Sequence, residues 1–139
     1  MFIHEGAVLL HRSEGDRFWA LPGGRVEPGE DTATALVREM REELHEAVGC
    51  ERLLYVAENF FTHQEKTHHE LGFYYLASLD KNARLLDKTR PHEGVECHQK
   101  LEFVWFELGH LRQTDIRPSF LRKSLVEPSL PFQHIVQRG

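Results

Sequence analysis

Apolar residues along the chain change their spacing from segment to segment, and each spacing predicts an element. Ala7-Val8-Leu9-Leu10 is a short apolar run behind the turn-prone pair Glu5-Gly6, which predicts a tight opening hairpin with a very short first strand. Phe18 to Leu21 predicts a short strand stopped by Pro22-Gly23-Gly24. From Gly29 to about Leu44 the spacing becomes helical, with Ala33, Leu36, Val37, Met40 and Leu44 on one stripe, so an amphipathic helix is expected. Leu53–Phe61 and Leu71–Leu79, rich in aromatic and aliphatic residues, predict two strands of a hairpin, separated by a polar loop from Thr62 to His69. Asp80–Gln99 has weak periodicity and predicts a loop, Leu101–Phe106 alternates as a strand, and Pro118 is placed to open a short second helix. Strands and two helices without regular βαβ alternation predict a mixed α/β sandwich.

With 139 residues the chain is expected to form one domain, spanning 1–139. No apolar run approaches the ~20 residues of a membrane span, and the N-terminus lacks the basic and apolar regions of a secretory signal, so the cytoplasm is the expected compartment. Cys50 and Cys97 have no metal-ligand spacing and read as two reduced thiols. Acids outnumber bases 22 to 17, giving a net charge of −5 and no long-range attraction for a nucleic-acid polymer. An anionic substrate would have to be met locally, by metal ions or a few placed cations.

The stretch Gly24–Glu46, GRVEPGEDTATALVREMREELHE, carries the candidate chemistry. Residues on a helix advance about 100° each, so Glu39, Glu42 and Glu43 share an arc of roughly 100° beside the apolar stripe. Like charges at these spacings repel by about 0.2–0.5 kcal/mol per pair, which a purely solvating face does not require. Carboxylates, backbone carbonyls and waters are the hard ligands that Mg²⁺ or Mn²⁺ prefers. An ordinary solvated helix face is the competing reading, with Arg38 partly neutralising Glu42 four residues on.

The order of the residues around the acids decides between these readings. Gly24, Glu30, Arg38-Glu39-Met40 and Glu42-Glu43, at this spacing, resemble the signature box of the Nudix hydrolase family. Trp19-Ala20-Leu21-Pro22-Gly23-Gly24 resembles the family's strand and turn ahead of the box, and Glu102-Phe103-Val104-Trp105-Phe106 its late strand. The likeness extends over roughly the first 110 residues. It implies an α/β/α sandwich with a mixed sheet and a loop-helix-loop motif. It also implies divalent-metal-dependent hydrolysis of a pyrophosphate bond in a nucleoside diphosphate linked to another moiety.

By that resemblance Glu39, Glu42 and Glu43 are catalytic and metal-ligating, Glu39 also being a candidate base, and a backbone carbonyl at Gly23 or Gly24 adds a ligand. Glu30 and Arg38 would pair to hold loop and helix together. Many members add a late acid; Glu93, Glu96 and Glu102 are the candidates here, and Glu96 is favoured. Where the family box ends in glycine and an aliphatic residue, this chain has His45 and Glu46. Either His45 is forced into a left-handed cap or the helix runs on to Gly49.

Other signals are weaker. Arg12, Arg25 and Glu70 are candidate substrate contacts, with Arg17 a further arginine near the presumed site. His63, His68 and His69, with Glu65 and Glu70, could bind metal, although a solvated loop is the plainer reading. One of Phe60, Phe61, Phe73, Tyr74 and Tyr75 could stack a base, most of them reading as core. A catalytically silent ligand-sensing module and a histidine-rich metal binder are the alternative functions. Pairing with a second copy is left open.

Overall fold

A computed structural model describes all residues, Met1 to Gly139. Seven strands form two sheets: β1 (Ile3–His4), β2 (Ala7–Ser13), β3 (Val48–His63), β4 (Lys66–Leu79), β5 (His92–Glu96), β6 (Gln99–Glu107) and β7 (Gln133–Arg138). One sheet has the antiparallel order β1-β2-β6-β5. The other has the order β4-β3-β7, antiparallel between β3 and β4 and parallel between β3 and β7. The long helix α1 (Thr32–Leu44) contacts both sheets, through β5 and β3, and a single turn α2 (Leu121–Ser124) lies near the C-terminus. No helix is long and apolar enough to cross a membrane.

β2 explains how the parts cohere. Ala7 to Leu10 are all buried, and alternate residues of a strand face opposite ways. Ala7 and Leu9 enter a core with Met40 and Leu44 of α1 and with Leu101, Phe103 and Trp105 of β6. Val8 and Leu10 enter a second core with Leu54, Tyr55, Leu111, Ile116 and Leu121.

The expected helix forms, but begins at Thr32 because Asp31 caps it, its carboxylate accepting from the Thr34 backbone N–H at 2.8 Å. It ends at Leu44, with His45 left-handed at φ 56°, ψ 28° and its N–H bonded to the Arg41 carbonyl at 3.0 Å. This is the forced-cap alternative; the helix does not continue to Gly49. A non-glycine residue in this region costs roughly 1–2 kcal/mol. His45→Gly should therefore raise stability by about 1 kcal/mol, seen as a higher denaturation midpoint at unchanged slope. A lower midpoint would contradict the strain.

Several expected boundaries shift. The polar segment Thr62–His69 is mostly strand: β3 runs to His63 and β4 starts at Lys66, joined by Gln64 and Glu65, both at positive φ. That pair of left-handed residues makes the two-residue hairpin turn that matches strand twist. Asp80–Gln99 contains the strand β5, whose turn into β6 is Cys97-His98, again both at positive φ. Phe18–Leu21 makes only single bridges, Trp19 with Ile116 and Ala20 with His11. The second helix is one turn, three residues beyond Pro118, and β7 is an addition.

Candidate active site

The first half of the site is fastened by Arg38. Its Nη2 donates to Glu30 Oε1 at 2.6 Å and to the Arg25 carbonyl at 2.9 Å, and its Nε donates to Glu30 Oε2 at 3.1 Å. Nη1 reaches Glu39 Oε1 at 2.9 Å and Glu42 Oε2 at 3.2 Å. One planar fork thus ties the loop before the helix to two helix acids, which a point-charge lysine could not reproduce. The Arg38 guanidinium, helped by the Glu27 backbone N–H, holds the Glu30 carboxyl down at about 2. Arg38→Ala should lower both the thermal midpoint and turnover, the latter at least tenfold, and Arg38→Lys should restore little of either. A pure rise in KM at unchanged stability would instead make Arg38 a substrate contact.

The second half is an acidic cluster. Oxygens of Glu39, Glu43 and Glu96 all lie within 4.8 Å of one another. Glu43 is 3% exposed, and neither of its carboxylate oxygens has a hydrogen-bond partner. Burial, then the negative charges of Glu96, Glu39 and Glu42, push its carboxyl up to about 8. A buried carboxylate with no donor is costly unless a cation meets it. The donor set, all carboxylate oxygen, suits a hard divalent ion.

Two glycines let this cluster close. A Cβ at Gly24 would collide with the Glu39 carboxyl group, so the turn before the box cradles that acid. At Gly94 a Cβ would lie 2.8 Å from the Glu43 carbonyl oxygen and 2.6 Å from the Phe103 ring, so only glycine lets β5 rest on the end of α1. Gly94 faces the helix, and Glu96, two residues on, shares that face. Glu93 points the other way, opposite Glu102, which pairs with Arg12 at 3.0 Å. Strand alternation thus separates the three late acids and brings only Glu96 to the helix acids.

Glu42 lies outside the triplet, 59% exposed and held by Arg38. Arg12 stands over the Trp19 ring at 4.4 Å and lines a separate polar cavity with Glu93 and Glu102. Arg25 and Glu70 line a different cleft, about 610 Å³, which runs from Gly23-Gly24 past the start of α1 to Phe73 and Arg117. Phe73 is exposed there, whereas Phe60 and Phe61 stack on His69 and His68. Gly94 was not singled out in the sequence, although a lone glycine between strand-prone residues is a mark of close backbone approach.

A two-sheet fold packs around one acidic helix, with a glycine turn cradling that helix's Glu39. The chain belongs to the Nudix family, whose NUDIX domain model matches residues 2–125. It is similar to the nucleoside triphosphatase NudI of Escherichia fergusonii, 29% identical over 132 residues, covering 88% of this chain and 87% of that protein. A NudI from Escherichia coli is 52% identical over 48 residues, covering 31% of this chain and 34% of that one. Among solved structures, a MutT NUDIX hydrolase from Burkholderia pseudomallei is 26% identical with a TM-score of 0.64, covering 91% and 92% of the two chains. UDP-X diphosphatase shares the fold at 20% identity and a TM-score of 0.64; 96% of this chain matches 63% of that longer protein. The chain is a Nudix hydrolase.

Proposed function

We propose that the chain uses Mg²⁺ or Mn²⁺ to hydrolyse a phosphoanhydride bond in a nucleoside diphosphate linked to a further group, a third phosphate being the smallest such group. The observation that carries this reading is the buried, unpartnered Glu43 carboxylate beside Glu39 and Glu96. The likeness to a nucleoside triphosphatase supports the substrate class.

Glu39, Glu43 and Glu96 would hold the ion, with the Gly24 carbonyl and waters as further ligands. Bound there, a divalent ion supplies charge neutralisation for the phosphates and a lowered pKa for water. Glu39 has one oxygen fixed by Arg38, which leaves the other to take a proton from the attacking water. The water oxygen bonds to phosphorus, the bridging P–O bond breaks, and the leaving phosphate carries away the bond's electrons. Glu42, tied to Arg38, would help keep the guanidinium aligned. The nucleoside would lie in the cleft between the Gly23-Gly24 turn and Phe73, whose exposed ring offers a stacking face.

The test is phosphate or pyrophosphate release from nucleoside triphosphates, nucleotide sugars, dinucleotides and oxidised nucleotides, with and without Mg²⁺ or Mn²⁺. Turnover of at least one substrate that stops in chelator is expected. Nucleotide binding without turnover of any of them would favour a silent sensor instead.

A further inference from the structure

β4 is an edge strand, and part of its outer edge is uncovered. The two-residue turn Gln64-Glu65 makes His63 and Lys66 a hydrogen-bonded pair, and along an antiparallel ladder such pairs alternate with non-bonded ones. Lys66, His68, Glu70 and Gly72 therefore direct their backbone N–H and C=O groups to β3, while those of Thr67, His69, Leu71 and Phe73 point away from it. Further along the same edge the outward groups are satisfied. The Met1 amine donates to the Tyr75 carbonyl at 2.7 Å, and the Ala77 N–H donates to the Met1 carbonyl at 2.9 Å. From Thr67 to Phe73 no backbone group of the chain pairs with the outward edge.

An open edge is a template for another strand, and proteins blunt such edges with proline, bulges or short length. β4 is long, has no proline, and exposes Leu71 and Phe73 by 59% and 44%. Its charges fit a copy of themselves. Lys66, His68 and Glu70 share one face of the strand. In an antiparallel pair centred on His69, His68 stands opposite the partner's Glu70 in a closely spaced non-hydrogen-bonded pair, and Lys66 lies diagonal to that glutamate. Two-fold symmetry makes both contacts twice. Centring on Glu70 would instead set two carboxylates against each other, and centring on His68 would set Leu71 against the turn residue Glu65. The hairpin is exposed from Thr62 to Leu71, and antiparallel pairing sends the two bodies to opposite ends of it.

We infer that this chain forms a two-fold dimer through the Lys66–Gly72 edge of β4, joining two three-stranded sheets into one continuous sheet. Thr67, His69 and Leu71 pair with the partner's Leu71, His69 and Thr67, each pair exchanging two backbone hydrogen bonds. The interface does not depend on the hydrolytic reading, since it leaves the acids of α1 untouched. The partner's turn would lie beside Phe73, at the outer end of the cleft.

Sedimentation equilibrium of the full chain without substrate, up to about 100 µM, should give a dimer that dissociates on dilution. Leu71→Pro removes an outward N–H and none of the ladder to β3, so it should raise the dissociation constant at least tenfold. Glu70→Lys should be monomeric, and so should Lys66→Glu/His68→Glu, because each puts like charges across the axis. Mixed together, these two should recover a dimer containing one copy of each, which also shows that both are folded. Monomer at every concentration, a dimer undisturbed in both Leu71→Pro and Glu70→Lys, or charge variants that fold by circular dichroism but do not associate on mixing would overturn the interface.

Discussion

Glu43→Gln should reduce metal-saturated turnover at least about a thousandfold while leaving a folded chain. The amide keeps the side chain's shape but removes the anionic ligand from the most enclosed point of the cluster. The same variant should behave oppositely in stability. In metal-free protein the Glu43 carboxyl is raised from an ordinary 4.5 to about 8, so the folded chain holds a proton that the unfolded chain has released. That contribution to stability is complete below about 4.5 and disappears as pH rises through about 8. In chelator, wild-type stability should therefore fall across this window, and the fall should largely vanish in Glu43→Gln. With saturating Mg²⁺ the wild type should become the more stable of the two at high pH. Turnover and urea midpoints from pH 5 to 9 measure both effects. Near wild-type turnover in a folded variant would remove Glu43 from the site.

Gly24→Ala should cost about a hundredfold in turnover with little change in the unfolding midpoint. The added methyl group has nowhere to go but into the Glu39 carboxyl group, which is the far end of a flexible side chain and can swing aside. Swinging aside breaks its bond from Arg38 Nη1 and takes its oxygens out of reach of Glu43 and Glu96. Displacement of a reacting group by about 1 Å is enough for a loss of this size. The apparent affinity for Mg²⁺ should weaken together with kcat. A variant with normal kcat and normal Mg²⁺ dependence would show that Glu39 works from another position.

The helix and its acids were legible because two signals coincide there, a 3.6-residue apolar stripe and a box of fixed spacing. Arg38 and Glu30 followed from the same box, and their geometry matches the pairing expected of them. β5 was hidden because its one buried position is Gly94, which contributes no apolar side chain to an alternating pattern. The preference for Glu96 among the late acids had no structural ground for the same reason, since the facing of β5 is what separates Glu96 from Glu93, and Glu102 lies on β6 opposite Glu93. β7 escaped for a related reason: Val136 points to solvent and Gln133 and Gln137 point inward, so polarity does not track the faces. The β3–β4 hairpin was foreshortened because its far end is polar on both faces and turns through Gln64-Glu65 rather than an Asn-Gly pair. Glu42 lies beside Glu39 as helical phase expects, for one nitrogen of Arg38 bonds both carboxylates, and it is the more exposed of the two.

β2 has a meaning for how the molecule comes apart. With Ala7 and Leu9 in one core and Val8 and Leu10 in the other, the strand is a party wall between two rooms. Neither room can be emptied without stripping one side of that wall, and its ladder to β6 then loses its shelter from water. Separate melting of the helix-bearing half and the C-terminal half is thereby disfavoured, and opening at either end is transmitted through four residues to the other. The acidic cluster, built on the helix side, consequently depends on packing around Leu111 and Leu121 that it never touches.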